Sequence, residues 1–177
     1  MVLRYATVIL GAVMLATLVA LSVSAVEPKE AEAAIAVRTC GGGSIALKAK
    51  EERTLRLHNQ VRRKHGLRSL CVNRKLTKAA RAHSADMIQR DYFGHGPVGT
   101  RLTSYGYRWS TYGENIAGGS GARGKPKPIL GGWMKSSHHR ANILNGGFRQ
   151  IGVGTAKGDY RGVGGYTMYT VDFGRRR

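Results

Sequence analysis

Three short stretches place histidines or an isolated acid in unusual surroundings. Tyr92-Phe93-Gly94-His95 combines two aromatic rings with an imidazole. Tyr112-Gly113-Glu114-Asn115-Ile116-Ala117 holds one acid in an otherwise uncharged run. Residues 133–144 (WMKSSHHRANIL) bring two adjacent histidines, His138 and His139, behind a tryptophan. Neutral imidazoles are good zinc ligands, and a carboxylate can serve as a further ligand or as the base for a bound water. A His/Glu pair can also exchange protons near neutral pH. The same residue types equally suit a buried hydrogen-bond network that fastens loops to a sheet, because buried polar groups must be paired.

Such residues need elements to position them. Residues 46–65 are strong helix formers, with Leu55, His58/Asn59, Val61 and Arg62 at three-to-four spacing and Gly66 as a stop. A second helix fits 75–90, where Leu76, Ala79, Ala80, His83 and Met87 share a face. Twenty of the 25 glycines lie from Gly94 onward, so turns and short strands should dominate there. A short helix fits 128–135, with Pro128 in its first turn. Alternation predicts strands at 150–156 and 166–173, with 158–165 as their hairpin loop. Helices first and antiparallel strands last indicate an α+β fold. His58 and Asn59 read as residues that cap or bond a neighbouring loop, and His83 as a core or sheet-facing polar group.

The chain of 177 residues suits one domain with trimmings. Residues 1–25 read as a signal peptide cut after Ala25, or as an uncleaved membrane anchor through 5–25. Either places the rest outside the cytoplasm, secreted or at the cell surface. Residues 26–50 read as a linker with a helical start near Ile45, any earlier helix stopping at the glycines 41–43, and 51–177 as the domain. After export Cys40 and Cys71 can pair, closing a loop of about thirty residues; the alternative is two free thiols.

Lys and Arg number 29 against 10 Asp and Glu, a formal charge of +19 at pH 7. Net charge concerns association rather than fold. No nucleic-acid module accompanies it, and export argues against an intracellular nucleic acid. Residues 119–125 match the start of a phosphate loop, but Pro126 stands where a magnesium-binding Ser or Thr belongs. There is no GxSxG and no HExxH.

Taken in order, the motifs resemble the bacterial branch of the CAP superfamily, the cysteine-rich secretory, antigen 5 and pathogenesis-related 1 proteins, also called the SCP domain. They are HNQVR at 58–62, AAxxHSxDM at 79–87, FxH at 93–95, GENIA at 113–117, WMxSxxHRANIL at 133–144, IGVG at 151–154 and YTVDFG at 169–174. The resemblance covers about 55–174. It implies an α-β-α sandwich with a small antiparallel sheet flanked by helices, and a cleft lined by two histidines and two acids. By motif position His95 and His139 are the histidines and Glu114 one acid; His138 is secondary. Ser136 stands where many eukaryotic members carry the second acid, so the set of four is incomplete. The resemblance implies a module binding lipid or cell-envelope ligands; the basic charge of an exported domain points to an anionic cell-envelope polymer or lipid headgroups, and a monomer is expected. Two alternatives remain: a weak metal-assisted or protease-like hydrolase using His95, Glu114 and His139, with zinc held by His95 and His139, and an extracellular nucleic-acid binder or nuclease.

Overall fold

The computed structural model describes residues 34–177. The expected leader, 1–25, lies outside the described residues, as does the first part of the expected linker. Among the described residues no helix is long and apolar enough to cross a membrane.

The described part of the expected linker is a hairpin. Strand β1 (Ile35–Arg38) pairs antiparallel with β2 (Ser44–Leu47), from Ile35 opposite Leu47 to Arg38 opposite Ser44. The helical start expected near Ile45 is therefore strand. The glycines that were to stop a helix instead close the hairpin, Gly42 and Gly43 taking φ values of +83° and +67° that other residues avoid. Leu47 is buried in the core. Cys40, at the hairpin tip, is disulfide-bonded to Cys71, with their Cα atoms 5.4 Å apart and a sequence separation of 31. Closing a loop of that size stabilises the fold by about 3 kcal/mol in the chain-entropy account. Backbone bonding continues the attachment, since the Cys40 N–H donates to the Val72 carbonyl at 2.9 Å.

Helix α1 (Ala49–Lys64) begins where the Lys48 N–H donates to the Glu51 carboxylate at 3.0 Å. Glu51 is fully buried and also accepts from Arg81, at 2.6 Å, and from the Thr155 N–H, at 3.1 Å. One carboxylate thus joins both long helices to the sheet. Asn59 pairs twice with Leu70, through its amide and its carbonyl oxygen, and so bonds the following loop as its position suggested. Strand β3 (Cys71–Val72) leads to α2 (Arg74–Gln89), which is capped by the Asn73 side chain accepting from the N–H groups of Lys75 and Leu76. Its buried face comprises Leu76, Ala79, Ala80, His83 and Met87, the face that the periodicity predicts.

The main sheet has the order β3-β5-β6-β4, with β3 parallel to β5 and the other pairs antiparallel. Its remaining strands are β4 (Trp109–Gly119), β5 (Gln150–Tyr160) and β6 (Val163–Arg176). The last two run straight through the expected 158–165 loop. They turn only at Arg161 and Gly162, both with positive φ (48° and 74°), as a two-residue hairpin requires.

One face of the sheet packs on α1 and on α4 (Pro126–Lys135), through a core containing Leu55, Trp133, Val153, Tyr169, Val171 and Phe173. Short helix α5 (Ser137–Ile143) follows α4 on that side. The other face lies directly under α2. A Cβ at Gly152 would run into the backbone of Leu76 and Thr77, and one at Gly154 into that of Ala80 and Arg81. The Ser84 hydroxyl donates to the Gly154 carbonyl at 3.1 Å in the same contact. Helix α3 (Val98–Ser104) adds Leu102 to this second layer, against Leu76 and Tyr107.

Candidate functional site

Strand β4 is an edge of the sheet, and its outer side carries the site. Alternation along it sends Glu114 toward the α2 layer and Asn115 toward the α5 layer. The edge is covered by side chains rather than by another strand. Asn142 donates to the Glu114 carbonyl at 3.1 Å and to the Asn115 side chain at 2.9 Å, and Trp133 Nε1 donates to the Ile116 carbonyl at 3.0 Å. Asn115 in turn donates to the His139 carbonyl at 3.0 Å. Gly113 is required by this arrangement, since a Cβ there would press on Asn142 and the Phe148 ring.

Two histidines reach the edge from opposite layers. His95 arrives from the segment after α2 and His139 from α5, and both line one cleft of about 750 Å³. The rest of the lining is mainly apolar: Phe93, Ile116, Ala117, Pro128, Ile129 and Trp133, with Ser136 and Arg123. Glu114 lies behind His95 rather than in the lining. Its side chain is 2 % exposed, against 50 % for that of His95. His95 Nδ1 donates to Glu114 Oε1 at 2.7 Å, which fixes the ring and leaves Nε2 for the cleft. Arg101, from α3, completes the group by donating to Glu114 Oε2 and to the His95 carbonyl, the latter at 3.0 Å. His139 Nδ1 lies 2.9 Å from the Ser136 hydroxyl. Burial lowers the His139 pKa, and the neighbouring His95 and His138 push it the same way, so His139 favours the neutral form.

The expected trio is thus brought together in part. His95 and His139 share the cleft, whereas Glu114 acts on it through His95. Two polar residues that the sequence reading missed belong to the same place. Arg101 carries no local signal, being an ordinary arginine in a short helix. Asp172, on β6, is the direct partner of Glu114 across the β4–β6 pair and is fully buried. Its signal was an acid inside an apolar strand, where any acid must be buried or at an edge.

The family model for the cysteine-rich secretory protein family, CAP, matches residues 55–173. This chain belongs to the CAP family. It is 40% identical over 114 residues to the Bacillus subtilis (strain 168) protein YkwD, covering 62% of this chain and 43% of that one. It is 33% identical over 119 residues to the membrane protein YlbC of the same organism, covering 62% and 32%. The chain therefore spans less than half the length of these curated relatives. An extracellular SCP-domain protein of Bacillus anthracis superposes with a TM-score of 0.62 at 31% identity, over 72% of this chain and 40% of the other. An outer surface protein of Borrelia burgdorferi shares the fold at a TM-score of 0.64 and 20% identity, over 75% and 97%. The two helical layers about the four-stranded sheet are the CAP α-β-α sandwich.

Within this CAP domain the two imidazoles offer at most two ligands to a metal, and a catalytic zinc takes three from the protein. Among the described residues no group of three or more His, Cys, Asp and Glu side chains is placed to hold one. The acid nearest His95 is already bound to its Nδ1 and to Arg101.

The other family histidines are structural. His83 Nε2 donates to the Gly94 carbonyl at 3.0 Å, anchoring the segment that carries His95. His58 is buried, gives its Nδ1 proton to the Thr54 carbonyl at 2.8 Å, and packs on the rings of Trp133 and Phe173. It bonds its own helix, not the neighbouring loop. Burial lowers its pKa from 6.5 to about 4, the backbone bond to Thr54 acting in the opposite direction. Between those values the unfolded chain takes a proton that the folded chain refuses, so this group's stabilisation is lost as pH falls. Urea unfolding of wild type and His58→Gln over that range should show wild type losing roughly 3 kcal/mol relative to the variant.

Proposed function

We propose that this chain is an exported CAP domain that binds an amphiphilic, lipid-like ligand of the cell envelope in the cleft between His95 and His139. The observation that carries the reading is the mismatch between walls and rim. The cleft has apolar walls from Phe93, Ile116, Ile129 and Trp133, yet its polar groups are an arginine, two imidazoles and a hydroxyl. An acyl chain suits the walls, and an anionic or hydroxylated head suits Arg123 and the imidazoles. Export is supported by the apolar leader, the Cys40–Cys71 bridge and the extracellular or outer-surface naming of related proteins. The basic surface would add attraction to an anionic envelope.

Gly132 offers a direct test. It lines the cleft from α4, and nothing lies within 4 Å of a Cβ built there. Gly132→Phe should therefore fill the cleft without straining the helix. A fluorescent fatty acid is expected to bind wild type saturably and Gly132→Phe at least about tenfold more weakly, with Tm unchanged or raised. Undiminished binding by a folded variant would sink the reading. Binding that survives the substitution but disappears at high salt would belong to the basic surface instead.

A second reading, hydrolysis, has one observation of its own. A histidine oriented by a buried carboxylate, with a serine hydroxyl 2.9 Å from the second histidine, resembles the parts of an acid–base site. It requires turnover of a simple ester by wild type and its loss in the His95→Ala/His139→Ala double variant.

A further inference from the structure

Between residues 53 and 177 the sequence holds five acids against 24 basic residues. Two of those five, Glu114 and Asp172, stand opposite each other on β4 and β6, both buried. In so basic a protein an unpaired carboxylate has many cations to choose from, yet among the described residues neither oxygen of Asp172 meets a hydrogen-bond donor. What faces it is the Glu114 carboxyl, another acceptor. Two ionised carboxylates in this position would each bury a charge and repel. A single proton between them removes one charge and supplies the missing donor.

The surroundings decide which acid keeps the proton. Glu114 receives hydrogen bonds from Arg101 on α3 and from His95, and His83 on α2 stands 4.0 Å from the same oxygen. Both Glu114 side-chain oxygens therefore already face hydrogen-bond donors. Asp172 accepts no hydrogen bond among the described residues, and of these groups only the Arg101 charge acts on it, opposing the effect of burial. From β5 it is faced by Gly152, which has no side chain, and along β6 the next titratable neighbour is the Tyr107 hydroxyl over Gly174, held protonated by burial. Burial, with the Glu114 charge beside it, pushes the Asp172 carboxyl well above the usual carboxylate range.

We infer that Asp172 stands in this fold as a neutral carboxylic acid that donates a hydrogen bond to Glu114, and so is the positioning residue that holds Glu114 against His95 Nδ1. The cleft then rests on a chain of contacts running inward from His95 through Glu114 to Asp172. Glu114 has its own position fixed from three sides: Arg101, His95 and the acid behind it. This differs from a second acid in the cleft lining, because Asp172 reaches the cleft only through Glu114.

The chain holds four aspartates, Asp86, Asp91, Asp159 and Asp172, so carboxyl carbons of Asp-labelled full-length protein give few resonances. The one that disappears in Asp172→Asn is expected to show the shift of a carboxylic acid at about pH 7, where a free aspartate is ionised. The shift of a carboxylate there would overturn the assignment. The positioning role is read from the hydrogen-bonded Nδ1 proton of His95. It should persist in wild type and in Asp172→Asn, whose amide can still donate to Glu114, and be lost to exchange in Asp172→Ala. Its persistence in Asp172→Ala, or its loss in Asp172→Asn, would overturn that role. Should the alanine variant fail to fold, the asparagine variant and the carbon shift still decide the matter.

Discussion

Gly154→Ala is expected to destabilise the protein by about 5 kcal/mol, at the upper limit of single-residue effects. The residue has no unusual backbone angle; what it lacks is space. The added Cβ would meet the backbone of Ala80 and Arg81, not the end of a flexible side chain. Relief requires either α2 to lift from the sheet or β5 to bend. Lifting α2 would break the Ser84 bonds to the Gly154 carbonyl, at 3.1 Å, and to the Thr170 hydroxyl, at 2.9 Å. It would also disturb the Arg81–Glu51 pair, one turn away. Overpacking normally costs about 1–3 kcal/mol because side chains give way; here two rigid backbones oppose each other. Gly131→Ala is the control. It lies in α4 with nothing within 4 Å of its Cβ, and should stabilise by up to about 1 kcal/mol. Urea unfolding of the two variants beside wild type measures both, and equal effects would refute the packing argument.

The second large effect is expected from Arg62. This arginine is fully buried on α1 and pairs with no acid among the described residues. Its Nε donates to the Arg68 carbonyl at 2.9 Å, and its Nη1 to the carbonyls of Ile143 and Asn145 at 2.8 and 2.9 Å. Burial, with a lesser contribution from the Arg149 charge, lowers its pKa, although guanidinium remains a cation under any ordinary condition. Two of those carbonyls, of Ile143 and Asn145, lie at and just beyond the C-terminal end of α5, where helix carbonyls have no partner of their own. Arg62→Met keeps much of the length and apolar volume but removes all three bonds. A loss of about 4 kcal/mol is expected, from charge-assisted bonds forfeited and acceptors left buried. Amide exchange should quicken first over 137–145, because α5 is the element released. Since α5 carries His139 and Asn142, ligand binding should weaken in the folded fraction too. Unchanged exchange over that segment would show that the arginine serves α1 alone.

What could be read in the sequence depended on whether an element announces itself locally. Helices α1 and α2 did, because Leu55 and Arg62, or Leu76, Ala80 and Met87, repeat at helical period on a single face. Strands β5 and β6 did so through alternation, though their hairpin is far tighter than the four glycines scattered through 158–165 suggested. Strand β4 did not. Its WSTYGENIAGG composition has three glycines and no clean alternation, and it becomes a strand by pairing with β6 and by the cover that Asn142 and Trp133 give its outer edge. Helices α3 and α5 are seven residues each with no side-chain cap, too short for a periodic signal. The β1–β2 hairpin was hidden in Ala-rich chain that reads as helix or linker.

The site followed the same rule. His95, Glu114 and His139 were legible because motif and chemistry coincide. Arg101 and Asp172 were not, because their roles arise from partners distant in sequence. Asp172 gains its meaning only once β6 is laid against β4 and its neighbour proves to be another acid.

The bridge between Cys40 and Cys71 also sets how the domain would respond to tension. A pull arriving at residue 34 would first unzip β1 from β2, a four-residue pairing opened one bond at a time. At Cys40 the peeling must stop, because the next link is covalent. The load then passes to Cys71 and along β3, whose parallel pairing with β5 at Gln150 and Ile151 is strained lengthwise, with several bonds sharing it at once. The hairpin acts as a short extensible lead, and the disulfide is the stop that keeps a tug at that end from unravelling α1.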